Sequence, residues 1–278
     1  LTGNPQITFF KVVYRRHTNF SMEAIEQTLN GNVTAGGSTV TSTISRNGDL
    51  VGRLWLDVGI DRSVLFDSDT YANWTNNTGH AFVKECEIEI GGQRIDRHYS
   101  QWLDVWNELS DHDESEWIGL NKHAAKNAYL KSGLAANSGT AITRLYVPLQ
   151  FWFCRNPGLA LPLIALQYHE VKVKLVTRSC AGLVNGSKRV TAPTTDPNVK
   201  LWADYIYLDT DERRRFAQVS HEYLIEQLQR EQGTMSTSQK LNFNHPVKEL
   251  IWTVQATHAA TEGSDGDKDM DATFNTPS

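Results

Sequence analysis

Apolar and polar positions alternate with a period of two over much of this chain, the mark of strands that bury one face. The alternation is cleanest over residues 83–98. There Cys86, Ile88 and Ile90 interleave with Glu85, Glu87 and Glu89, and Gly91-Gly92 follows. Two glycines in a row supply the positive φ values of a two-residue primed turn, so the segment reads as a hairpin. Counting outward from the turn sets Glu89 opposite Arg94 and Ile88 opposite Ile95, pairs worth roughly 0.2–1 kcal/mol each. Residues 168–176 alternate as strictly, with Val171, Val173 and Leu175 on one face and Glu170, Lys172 and Lys174 on the other. After the turn Asn47-Gly48-Asp49, residues 50–58 place Leu54, Leu56 and Val58 on one side. β-branched and aromatic runs at 7–13, 40–44 and 201–208 read as further strands. Residues 145–154 are apolar on both sides, as in a strand buried on both faces.

One stretch breaks the period. Trp102, Val105, Trp106 and Leu109 recur at i, i+3, i+4 and i+7, the stripe of an amphipathic helix. An acidic patch (Asp111, Asp113, Glu114, Glu116) and a Lys- and Ala-rich segment to residue 138 follow, together an insertion between strands. Residues 182–198 read as a loop. Residues 211–229 read as a connector, with the basic run Arg213-Arg214-Arg215 and with Phe216, Val219 and Tyr223 spaced like a helix face. A second β segment is expected over 241–257. Many short strands with turn signals at close spacing predict an all-β jelly-roll sandwich. The expected division is a first jelly roll over 1–209, a connector over 210–229, and the opening strands of a second, truncated jelly roll over 230–278.

Composition narrows the function. Of 278 residues, 40% are hydrophobic and 21% charged, enough to bury a sizeable core. A net charge of −5 opposes a grip on a phosphate backbone, so no direct nucleic-acid partner is expected. Cys86, Cys154 and Cys180 are odd in number and far apart, and read as reduced, buried thiols rather than a disulfide framework or zinc site. No apolar stretch approaches the roughly 20 residues needed to span a bilayer. The first residue is Leu1 and the final stretch is polar, as expected of a fragment.

The candidate chemistry is sparse. Among nine histidines there is no His-x-His and no HExxH, so neither a metal, a cofactor nor a catalytic site is expected. His169 and Glu170, read as neighbours on a strand, point to opposite faces. Glu85, Glu87 and Glu89 share a face at about 7 Å spacing, with Arg94 and Arg97 across from them. That reads as a salt-bridge ladder, not a glycosidase pair. The acidic patch lacks the EF-hand pattern for calcium. Trp102, Trp106, Trp152 and Trp202 fall on a helix stripe or in strand cores and are expected to be buried. Trp74, in a loop, is the one candidate sugar-stacking platform. Sequons occur at Asn19, Asn32, Asn73, Asn76 and Asn185. Asn73, Asn76 and Asn185 fall in expected outer loops and are the candidate glycosylation sites.

Longer motifs point to a family. They are Gly3-Asn4-Pro5-Gln6-Ile7-Thr8-Phe9-Phe10-Lys11, Ser45-Arg46-Asn47-Gly48-Asp49-Leu50, Glu89-Ile90-Gly91-Gly92-Gln93-Arg94-Ile95-Asp96, the run from Pro157-Gly158-Leu159 to Tyr168-His169-Glu170-Val171, and Leu208-Asp209-Thr210-Asp211-Glu212-Arg213. In this order they resemble the major capsid protein of the nucleocytoplasmic large DNA viruses, closest to the algal-virus branch, as far as residue 252. The resemblance implies two tandem jelly rolls and a non-enzymatic shell protein. Three copies form a pseudo-hexagonal capsomer, and capsomers tile an icosahedral virion shell assembled in the host cytoplasm. Neighbouring capsomers, minor capsid proteins and an internal membrane are the implied partners. From another class, a jelly-roll carbohydrate-binding or host-attachment protein fits the bare pattern, as does a jelly-roll enzyme of cupin or glycosidase type.

Overall fold

The structure is a computed structural model and describes residues 18–59, 72–74, 77–110, 144–186, 195–233 and 238–253. The strand expected at 7–13 and the insertion at 111–138 lie outside these residues.

The strands build a two-layer sandwich. In chain order they are β1 (Phe20–Gln27), β2 (Leu29–Asn30), β3 (Thr39–Thr43), β4 (Leu50–Gly59), β5 (Ala72–Trp74), β6 (Val83–Ile90), β7 (Gln93–Tyr99), β8 (Arg144–Pro148), β9 (Leu161–Pro162), β10 (Val171–Thr177), β11 (Val184–Gly186) and β12 (Asn198–Leu208). One sheet runs β1-β12-β4-β8, with β9 pairing the start of β4, and the other runs β2-β3-β10-β6-β7. First and last strands are neighbours, and each sheet alternates early and late strands. This interleaving of two Greek keys is the jelly roll that the pattern predicted. All the ladders are antiparallel.

The core lies between the layers. Leu54, Leu56 and Val58 of β4 and Leu201, Ala203 and Tyr205 of β12 meet Cys86 and Ile88 of β6 and Val171, Val173 and Leu175 of β10. Each such aliphatic side chain contributes about 1.5–3 kcal/mol on leaving water. Tyr205 brings a polar end into the core, and its hydroxyl is held by the Ser45 carbonyl (2.5 Å) and by Gln27 Oε1 (3.1 Å). Gly48 leaves room for it, since a Cβ there would stand 2.8 Å from the Tyr205 Cβ.

The hairpin departs from its predicted register, with consequences. Gly91 and Gly92 take φ of 60° and 82°, and Glu89 pairs with Arg94 as expected. Ile88, however, pairs with Asp96, not Ile95, because a bulge intervenes. One extra residue inverts the faces beyond it. Asp96 and His98 consequently turn into the core, and both side chains are fully buried.

Four other expectations need correction. Strand β8 stops at Pro148, and its burial alternates, with Leu145 and Val147 inward and Tyr146 exposed, so it is not buried on both faces. Residues 152–155 form instead a short helix, α3, after α1 (Thr78–Phe82) and α2 (Ser100–Ser110). In α2 the buried residues are Ser100 and Leu103, neither of them on the expected stripe, while Leu109 is 60% exposed. The helix α4 (Thr210–Gln218) ends before Val219 and Tyr223, so these do not extend a helical face with Phe216. Of the segment expected as a β run over 241–257, the described part, to residue 253, forms no strand.

Candidate assembly surfaces

Among the described residues, no group of three or more His, Cys, Asp and Glu side chains is arranged to hold a metal ion. His169 and Glu170 precede β10, in a turn rather than on a strand. Arg46 makes that turn by donating to the carbonyls of Leu166 (2.6 Å), Gln167 and His169 (3.2 Å). Arg46, Gln167, Tyr168 and Glu170 rim an open recess of about 470 Å³, and Tyr168 is almost wholly exposed.

The acidic face of the hairpin is a ladder, as expected, but it is organised around one buried member. Glu87 has a 4% exposed side chain and faces three cations: Arg97, in direct hydrogen bond, Lys174 at 3.6 Å and Arg94 at 3.7 Å. Charge-assisted contacts from three sides compensate the desolvation of a carboxylate on an otherwise wet sheet.

The connector is laid along the outer edge of β7. An edge strand exposes unpaired backbone groups that invite aggregation. Gln227 Nε2 donates to the Ile95 carbonyl (2.6 Å), and the Leu228 backbone N–H donates to Asp96 Oδ1 (3.1 Å). Arg230 stacks over the Tyr99 ring at 4.7 Å, and Arg155, itself stacked over Trp106 at 4.2 Å, donates to Glu226 (3.1 Å). A hydrogen bond from Lys248 and the charges of Lys248 and Arg155 hold the Glu226 carboxyl below its ordinary range. Asp96 thus faces two ways, toward the connector through Oδ1 and toward His98 Nε2, 2.9 Å from Oδ2. Sequence reasoning missed this pair because only the bulge brings it inward.

Of the basic run at the start of the connector, Arg213 pairs with Asp49 of the same sandwich and Arg215 with Glu212 of the same helix. Trp152 is buried, though in α3 rather than a strand, and Trp102 and Trp106 are half-buried and stacked on each other (5.8 Å). Trp202 is half-buried and lies on the outward side of β12, not in the core. Asn73 and Asn185 do not lie in loops: they stand opposite each other on the β5–β11 ribbon. Trp74 is on that ribbon, and Asn76 lies outside the described residues.

Residues 8–209 match the family model described as "Major capsid protein N-terminus", and residues 212–278 match "Large eukaryotic DNA virus major capsid protein". The chain is 52% identical to the major capsid protein of Pyramimonas orientalis virus, over 99% of this chain and 65% of that one. It is 43% identical to the major capsid protein of Paramecium bursaria Chlorella virus 1, over 91% and 56% respectively. The structure of that virus's capsid protein VP54 superposes with a TM-score of 0.60 at 40% identity, covering 80% of this chain and 50% of that one. The chain thus spans between about half and two thirds of its relatives. The interleaved sheets agree with these matches, and the chain belongs to the major capsid protein family of large eukaryotic DNA viruses.

Proposed function

We propose that this chain is the front part of a shell subunit whose work is done by surfaces and not by a catalytic centre. The observation that carries the reading is the extent of the family match, 8–209 and 212–278, on a jelly roll that superposes on a solved viral capsid chain. A virus capsid of the related chain has itself been solved, as a quasi-atomic model, which supports self-association here. In this reading residues 1–209 are the first jelly roll, 210–229 the connector and 230–278 the start of a second. The connector's anchorage on β7 and Asp49 gives that second unit a fixed point of departure. Three complete chains form a capsomer, capsomers tile the virion shell, and minor capsid proteins and an internal membrane lie against its inner side. The absence of enzymatic activity and of cofactors belongs to the same proposal. So do glycans on Asn73, Asn76 and Asn185, for which an unshifted intact mass would be the contrary result.

The test is the solution mass of the complete protein, by light scattering after size exclusion at several concentrations. A trimer that survives dilution supports the shell reading. A clean monomer under every condition refutes it.

A further inference from the structure

The connector is held differently from the strands it covers. β7 is the last strand of its sheet, and residues 226–230 lie along its outer edge. Among the described residues, no backbone-to-backbone hydrogen bond joins the connector to β7, and no residue of 219–233 is buried. The ties of Glu226 to Arg155, Gln227 to Ile95 and Arg230 to Tyr99 are open to water, which competes for their partners. The tie made by Leu228 reaches inward. Its N–H donates to Asp96 Oδ1 (3.1 Å), which also accepts the Arg97 N–H (2.9 Å), and the Asp96 side chain is wholly shielded from solvent.

Beside Asp96 lies a second shielded group. The His98 side chain is equally inaccessible, and its ring stacks on Phe151 at 4.8 Å. His98 Nε2 stands 2.9 Å from Asp96 Oδ2, yet neither of these atoms, nor His98 Nδ1, completes a hydrogen bond among the described residues. Buried polar atoms without partners carry a desolvation cost that water removes on reaching them. The fold therefore keeps an under-satisfied pair dry beneath a segment that no ladder secures.

We infer that residues 226–230 are a releasable strap, latched on Asp96, which opens while the sandwich stays folded and lets water reach the Asp96–His98 pair. Segments held by few backbone bonds and little buried surface are the ones that open locally. Hydration of three dry polar atoms offsets part of what the strap loses on leaving. Upstream the chain stays tied by Arg213 to Asp49, so release frees the chain after α4 to change direction against the sandwich. The device belongs to this chain and does not depend on what the chain assembles into.

Two measurements on the complete protein test it. In native-state hydrogen exchange the Leu228 amide should exchange at least about a hundredfold faster than the amides of β6 and β10, at a rate that small additions of denaturant leave unchanged. A common rate for all of them would mean that the strap opens only with the whole fold, and would overturn the inference. In the second arm, Leu228→Pro removes the latching N–H and changes no residue of the sandwich. His98 should then react with diethyl pyrocarbonate about tenfold faster than in the parent, as expected for loss of one hydrogen bond to a carboxylate. Peptide mass spectrometry reads the modification, and the melting temperature should not move. Gln227→Ala, which removes a tie open to water, should leave the His98 rate near that of the parent. An unchanged His98 rate in Leu228→Pro, or an equal gain in Gln227→Ala, counts against the latch. A lower melting temperature in Leu228→Pro would make the segment part of the cooperative fold, and counts against the strap.

Discussion

Arg213 grips Asp49 with two donors: Nε reaches Oδ1 at 2.9 Å and Nη2 reaches Oδ2 at 3.1 Å. The carboxylate is nearly buried, and it also accepts the backbone N–H of Leu208 at 2.8 Å. Residue 49 opens β4, Leu208 closes β12, and Arg213 lies in the first turns of α4. One carboxylate therefore fixes the point at which the chain leaves the sandwich. The contact pushes the Arg213 pKa further up.

Arg213→Ala should lower stability by about 1–2 kcal/mol, because the buried carboxylate loses its charged partner while the arginine itself is half in water. Arg213→Lys should recover only part, since an ammonium cannot form the two-pronged contact. Denaturant unfolding of the three proteins checks this. A lysine variant as stable as the parent would show that charge alone is what matters.

Glu87→Gln keeps the shape of the ladder and removes its only buried negative charge, leaving Arg94, Arg97 and Lys174 facing one another. The expected loss is about 1–3 kcal/mol, reduced at high salt because two of the cations are substantially exposed. A double-mutant cycle with Arg97→Ala should show strong coupling. Additive effects would mean that the carboxylate acts through packing alone.

The three cysteines should be inert in the folded protein. Burial pushes the Cys86 thiol far above its ordinary range, Cys154 up to about 12 and Cys180 up to about 11. The thiolate is the reactive form, and little of it exists at mildly alkaline pH. A thiol reagent should give no rapid signal with native protein and the full complement once denaturant is added. Prompt reaction of a thiol would show that its surroundings open readily.

What was legible in the sequence follows from what a period can encode. Val171, Val173 and Leu175, and Leu54, Leu56 and Val58, declare their buried face through neighbours two positions away, and the structure places them inward. Gly91-Gly92 names its own turn. The bulge at Ile95 carries no comparable mark, because the residues on both sides still alternate. A correct count from the turn therefore gave the right partner for Glu89 and the wrong one for Ile88. The same limit explains Tyr168 and His169. Their alternation continues that of β10, but Arg46, more than a hundred residues earlier, gathers the local carbonyls into a turn. The outward direction of the tryptophan pair was hidden for a further reason. Trp202 reads as core in a single strand, and only the pairing with Trp55 and the opposite burial of Leu201 and Ala203 show that it points away.

Asp204, at the centre of that outward face, sets a pH dependence with a definite sign. Partial burial raises its pKa, while the hydrogen bond from Trp55 and the charge of Arg53 pull it down less strongly. A carboxyl whose folded pKa exceeds its unfolded value opposes folding when ionised, at pH above both values, and is neutral in both states below them. Asp204→Asn retains an acceptor for Trp55 and removes the charge. It should therefore melt higher than the parent at neutral pH, by an amount kept small by solvent screening. The gap should close as the pH falls through the Asp204 titration, where the parent carboxyl is itself protonated. Melting curves of both proteins over an acid-to-neutral series decide it. A gap that persists at the acid end would assign the difference to hydrogen-bond geometry, and a parent more stable at neutral pH would mean that the Arg53 charge outweighs burial.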